Sequence, residues 1–264
     1  MFPLRLSALV LACFSLLIGS PPSRQSLPAP TATRDSQAVT LVQNALRAMG
    51  STVPTDSVAT GNVTIVAGFE TSSGTIRILT RSTYQTSEQI TLSQATQTIV
   101  YSEGYASERD GDTTTSLSME RSLTSRSLSF PLPFLASILE DSTQTLQYVG
   151  LEKTDQAALQ HIRLRATFSL QPKLQALADA TTTDIWLDSA TGLPQRISYL
   201  RRDQTGGPYP AVPVDYYFSE FRTVSGVLYP FHINISLNGT PWTDISITNV
   251  QFAVGLSDID FLLK

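Results

Sequence analysis

Asp184 and Asp188 lie four residues apart with Trp186 between them. Two carboxylates across one cleft are what glycoside hydrolysis needs, and an indole can stack on a sugar ring. Alternate aspartates flanking a tryptophan also describe a half-exposed strand, so a carbohydrate-active enzyme stands as a third reading. The two histidines are His161 and His232. His161 sits in the alternating run Leu159–Leu164, and His232 follows Tyr229-Pro230-Phe231 at an expected strand start. No Gly-x-Ser-x-Gly elbow accompanies either, so both are expected to be hydrogen-bonded strand residues and no catalytic residue is assigned. Glu108, Asp110 and Asp112 alternate as calcium ligands can, but Thr113-Thr114-Thr115 follows and no EF-hand pattern develops. With no His-x-x-x-His pair, no metal or other cofactor is expected. Gly206-Gly207-Pro208 precedes no helix and is not a phosphate loop. The single cysteine, Cys13, leaves the rest of the chain without a thiolate, a disulfide or a Cys-based zinc site. Arg77 and Arg81 share one strand face with Leu79, and Arg163 faces away from Ile162 and Leu164. An arginine lining an apolar cavity can grip an ester or phosphate headgroup through parallel hydrogen bonds. Arg77 and Arg81 are therefore the candidate headgroup ligands; exposed strand-face cations are the alternative.

These residues need elements to position them. Ala38, Leu41, Val42, Ala45, Leu46 and Met49 recur at helical spacing after Asp35 or Ser36, either of which can cap, and Gly50 ends the run. From Val58 the period becomes two. Strands are expected over 57–67, 75–81, 84–92 and 96–102, with a turn at Glu70–Gly74 and another hairpin turn around Asp110-Gly111-Asp112. Further strands are expected over 144–153, 158–168, 182–189, 195–203, 212–223, 231–238 and 243–251, with a short helix over 172–180. Between the two groups, Phe130 to Asp141 opens with two prolines and is apolar on most sides. It reads as a short helix lying on the sheet, either as core or as a lid in which Phe130, Phe134, Leu135, Ile138 and Leu139 would touch an apolar ligand.

The 264 residues are 41% hydrophobic and 15% charged, enough apolar material for a packed core. A net charge of −4 argues against nucleic acid as a partner. Met1–Arg5 and the apolar run Leu6–Ile18, ending in Gly19-Ser20, read as a signal peptide over residues 1–20. The run is too short to span a bilayer, and Cys13 inside it is an ordinary apolar cysteine or, less favoured, a lipidation site. Residues 21–34 are rich in Pro, Ser, Ala and Thr and read as a linker. Residues 35–264 form one domain: mostly β (α+β), a curved antiparallel half-barrel of about ten to twelve strands with the N-terminal helix and the short hydrophobic helix on its concave face. An exported monomer of the periplasm or cell envelope is expected, without an integral membrane span in the mature chain.

Three C-terminal stretches carry a family likeness. Ile185-Trp186-Leu187-Asp188-Ser189-Ala190-Thr191-Gly192-Leu193-Pro194-Gln195-Arg196-Ile197 resembles the strand–turn–strand of periplasmic lipoprotein-carrier (LolA-like) proteins. Val214–Arg222 followed by Val224–Phe231 is similar to the family's next strand pair and its Pro-containing turn. Ile247–Phe261 resembles the closing strand and tail, with Ala253 where such tails often carry Asn. The resemblance covers about the last eighty residues. It implies a curved half-barrel with helices as a lid and an acyl chain or similar apolar ligand between them. The function expected is non-catalytic binding or carriage of a lipid or lipoprotein acyl chain. A structural or regulatory envelope domain that binds a protein partner is the alternative.

Overall fold

The computed structural model describes residues 32–102, 104–124, 128–154, 157–168, 172–202 and 211–263. The expected signal peptide, Cys13 and most of the expected linker lie outside these residues. Among the described residues thirteen strands form one antiparallel sheet. They are β1 (Asp56–Ala67), β2 (Glu70–Arg81), β3 (Gln85–Leu92), β4 (Thr96–Ser102), β5 (Tyr105–Asp110), β6 (Thr113–Ser116), β7 (Gln144–Lys153), β8 (Ala158–Ala166), β9 (Thr183–Asp188), β10 (Pro194–Arg201), β11 (Val212–Val224), β12 (Val227–Leu237) and β13 (Thr240–Phe252). Their order is β6-β5-β4-β3-β2-β1-β13-β12-β11-β10-β9-β8-β7, so two meanders are joined where β1 pairs with β13. The helices are α1 (Ser36–Met49), α2 (Met119–Thr124) and α3 (Pro131–Glu140).

The sheet is open, because β6 and β7 are its two edges, but it is strongly curled. β4 and β10 stand seven strands apart, a distance of about 34 Å on a flat sheet at ~4.8 Å per strand. Yet Tyr101 of β4 and Tyr199 of β10 are close enough for their phenols to interact electrostatically, and α2 touches both β5 and β10. The half-barrel is therefore bridged across its mouth by α2.

The core lies on the concave face. Ala59 and Val63 of β1, Ile76 and Ile78 of β2, Tyr216 and Phe218 of β11, and Tyr229, Ile233 and Ile235 of β12 point inward at strand period. α1 lays Ala38, Val42, Ala45 and Met49 against them. Asp35 is its cap: the carboxylate accepts from the Gln37 and Ala38 N–H at 2.7 and 3.2 Å, while Gly50 at φ 127° ends the helix.

Several boundaries differ from the sequence-based expectation. Residues 70–74 are the start of β2, not a turn; the chain reverses at Gly68, φ 65°. This hairpin projects beyond the core, so its side chains are exposed on both faces and no alternation marks the strand. At Gly74, β3 runs so close that a Cβ would meet the Thr91 carbonyl. The hairpin at Asp110–Asp112 makes β5 and β6, which raises the count to thirteen. Residues 172–181 form two 3-10 turns rather than one helix. β12 begins at Val227, so His232 sits mid-strand; Pro230 is accommodated opposite a stretch in which Glu220 takes φ 52°. Thr33 to Asp35, at the end of the expected linker, add a short parallel bridge to the β7 edge at Leu146.

Candidate functional site

α3 is enclosed by the half-barrel. Pro131 through Ile138 are all buried, and Leu139 is partly buried against the same core. Leu132, Leu135 and Ile138 expose no surface, so no water-sized space touches them. Phe130 stacks on Tyr229 with ring centroids 4.5 Å apart. The five apolar residues singled out from the sequence therefore come together in one place, beside α1 in the core of the concave face.

The two ends of α3 are held differently. At the C-terminal end Arg34 donates through Nη2 to the Ile138 carbonyl at 2.7 Å and through Nη1 to the Asp141 carbonyl at 3.3 Å. These are the carbonyls a helix end leaves unpaired. Glu140 accepts from Thr83 Oγ1 and Tyr84 Oη, and Asp141 accepts from the Thr143 N–H, the Thr143 hydroxyl and Gln144 Nε2. At the N-terminal end Phe130 supplies no side-chain cap, and Pro131 fills the first helical position. A polar tie there among the described residues is from Ser129 Oγ, which donates to Glu88 Oε1 at 2.5 Å.

Around that tie the concave face becomes polar. Burial pushes the Tyr101, Tyr216 and Tyr229 phenols up, and the Glu88 carboxylate raises all three further. Tyr229 Oη has no hydrogen-bond partner among the described residues. Tyr101 lies deep enough for this desolvation but is only half-buried. Arg121 of α2 pairs with Glu108 of β5 at 3.2 Å, and Gln97 donates to the same carboxylate.

Arg77 and Arg81 are not brought to this place. Their neighbours Ile76, Ile78 and Thr80 face inward, and the two arginines face outward with Leu79. Arg81 pins the C-terminal tail: it ion-pairs with Asp258, donates to Gln85 Oε1 and the Leu256 carbonyl, and lies over the Phe261 ring. Arg77 lines an outer-face groove of about 410 Å³ between the strands and that tail.

The outer face also holds the carboxylates and histidines. Arg163 grips Asp184 through Nε and Nη2, and His161 Nε2 lies 2.8 Å from the same carboxylate. His161 Nδ1 is 2.7 Å from Glu152 without hydrogen-bond alignment, and its ring stacks on Trp186. Arg196 covers the other side of that indole and donates to Asp215. Burial opposes ionisation of Asp188, but the Thr191 N–H, the Thr191 hydroxyl and the Ala190 N–H hold its carboxyl below the usual range. Positions 184 and 188 on one strand are about 13 Å apart at ~3.3 Å per residue, wider than the ~5–9.5 Å of a glycosidase pair. Both carboxylates are committed to holding strands and a turn.

Cross-strand pairing assembles one row that the sequence does not reveal. Ser219 Oγ is 3.0 Å from His232 Nδ1, and His232 Nε2 is 2.8 Å from Asp244 Oδ2. The order is that of a nucleophile triad, but it lies mid-sheet, where neighbouring backbone N–H groups are spent on ladder bonds. An oxyanion needs donors free to meet it. Both histidines are thus hydrogen-bonded strand residues. Among the described residues no group of three His, Cys, Asp or Glu side chains is placed to hold a metal ion.

No family model matches the chain, and no curated protein matches it in sequence. Solved structures do match in fold. An outer membrane lipoprotein-sorting protein domain from Vibrio parahaemolyticus aligns with TM-score 0.56 and 12% identity, over 85% of this chain and 96% of its own. A LolA superfamily protein from Nitrosomonas europaea gives TM-score 0.56 and 11% identity, over 86% and 97%. A DUF1329 family protein from Desulfovibrio piger gives TM-score 0.54 and 14% identity, over 85% and 97%. The chain has the LolA-like fold that its C-terminal turns resemble.

Proposed function

We propose that this protein holds a hydrophobic ligand, a lipid or an acyl chain, between the concave face of the half-barrel and α3, and breaks no bond in doing so. The observation that carries this reading is the setting of α3. An apolar helix fills the concavity, is anchored by polar contacts at its C-terminal end, and is tied near its N-terminal end by Ser129 and an aromatic stack. Such a helix swings about its anchored end. Outward movement uncovers Phe134, Leu135, Ile138 and Leu139 and the strand residues beneath them. A ligand that replaces α3 there is stabilised at about 25 cal/mol per Å² of apolar surface removed from water. The partly exposed Tyr101, on the concave side of β4, marks the entry. The matching lipoprotein-sorting and LolA-superfamily structures support this reading through the fold. Export to the periplasm or cell envelope belongs to the same proposal. Among the described residues no helix is long and apolar enough to cross a membrane.

Solvent extraction of the purified protein followed by lipid mass spectrometry tests it. Near-stoichiometric acyl lipid is the expected result. A lipid-free protein that also takes up no acyl lipid after mild delipidation refutes it.

Binding of a protein partner is the second reading, and one observation favours it. Phe69, at the tip of the β1–β2 hairpin, is fully exposed, with Val66 beside it also in solvent. Under that reading a Phe69→Ser variant loses the partner and keeps its stability.

A further inference from the structure

The outer-face groove is separate from the concave site and has its own chemistry. Its floor is a straight cross-strand row in which Arg77 of β2, Gln89 of β3, Thr98 of β4 and Arg109 of β5 are register partners. The row is about 14 Å long at ~4.8 Å per strand. The C-terminal tail forms the facing wall, where Ile259 and Leu262 carry exposed apolar side chains, and Leu79 lies buried at the base. Among the described residues Arg77 makes no hydrogen bond or ion pair. Arg109 donates to the Gly111 carbonyl and is 3.9 Å from Asp112. The groove's own carboxylate, Asp260, accepts from the Ser257 N–H and hydroxyl through Oδ2 in a capping box.

We infer that this groove binds a single-chain amphiphile with an anionic head, its carboxylate or phosphate on Arg77 and Arg109 and its chain along Leu79, Ile259 and Leu262. The charge fits, because an unpartnered guanidinium offers parallel donors to two anionic oxygens. The volume fits, because about 410 Å³ lies in the ~300–1,000 Å³ range of small-molecule sites. The wall fits, because leucine and isoleucine side chains that stand in water lose that exposure against a chain. The tail that forms the wall is fixed to the sheet by Arg81 and Phe261, so the groove exists before the ligand arrives.

The test is calorimetric titration of the full chain with laurate, dodecyl phosphate, dodecyl maltoside and inorganic phosphate, the amphiphiles below their micellar concentrations. Laurate and dodecyl phosphate are expected to bind one per groove, with dodecyl maltoside and inorganic phosphate at least tenfold weaker. Arg77→Gln is expected to weaken both anionic ligands about tenfold, and Arg77→Gln/Arg109→Gln more than that. A photoreactive laurate is expected to label residues 259–263 or the facing strands β2–β5. Unchanged laurate affinity in the double variant, equal affinity for the maltoside, or labelling confined to α3 overturns the inference. The neutral dye N-phenyl-1-naphthylamine reads the concave site independently. Its uptake in the double variant stays at the level of the unaltered protein, so loss of the groove and loss of the concave site give different results.

Discussion

The Asp56 carboxylate accepts three backbone hydrogen bonds, from Val254 at 2.6 Å, Gly255 at 3.0 Å and Leu256 at 3.1 Å, while itself being buried. It turns the chain out of β13 and sends the tail across the outer face. Removing it takes the acceptor from three backbone donors at the partly exposed start of the tail, so Asp56→Ala is expected to cost about 1–3 kcal/mol in urea unfolding. Asp56→Asn keeps acceptor capacity and is expected to cost less. The buried phenols give a second prediction. Tyr101, Tyr216 and Tyr229 have pKa values raised by burial in the folded state, whereas an unfolded tyrosine ionises near pH 10. Their contribution is complete below pH ~10 and declines as pH rises above it, because only the unfolded chain then loses the protons. Phenolate absorbance from Tyr216 and Tyr229, the two fully packed phenols, is expected to appear together with unfolding; smooth ionisation of both near pH 10 in the folded protein would show that they are open to solvent. Residue roles were unevenly legible. The apolar set on α3 could be read from spacing, since a helix apolar on most sides has to be enclosed. Arg77 and Arg81 could not be told apart, since strand alternation gives them one face and says nothing of the tail that one pins and the other leaves. Asp56 carried no signal, because its partners are nearly two hundred residues away.

α3 carries much of the core, and the proposed function makes it the moving part. Leu135→Ala leaves a cavity in a fully enclosed site and is expected to cost about 2–5 kcal/mol. Ser129→Ala acts otherwise. It removes the tie from α3's N-terminal end to Glu88, and it is expected to cost about 1 kcal/mol while speeding uptake of an acyl lipid severalfold in stopped-flow measurements. Uptake at an unchanged rate would place the moving part elsewhere. α1 was legible because its cap, apolar stripe and terminal glycine agree. α2 was not: six residues make too few turns to show a period. β6 and the start of β2 were obscured for a related reason, since strands exposed on both faces have no alternation to display.

Across the whole molecule, an open sheet of thirteen strands must manage two edges. β6 is a four-residue strand of threonine and serine, too short to invite pairing, and part of the β7 edge is occupied by residues 33–35. The curl that brings β4 towards β10, bridged by α2, creates an interior without closing a barrel. α3 occupies that interior, and under the proposed function an acyl lipid takes its place. A thiol placed at Phe134 reports this directly, in a chain whose Cys13 is replaced by serine. The mutant Phe134→Cys protein is titrated with 1-monooleoylglycerol while thiol labelling is followed. Saturable binding of about one lipid per chain is expected, with a labelling rate that rises with occupancy as α3 leaves the concavity. A thiol that stays protected at saturating lipid, or no saturable binding at all, would contradict the proposed function.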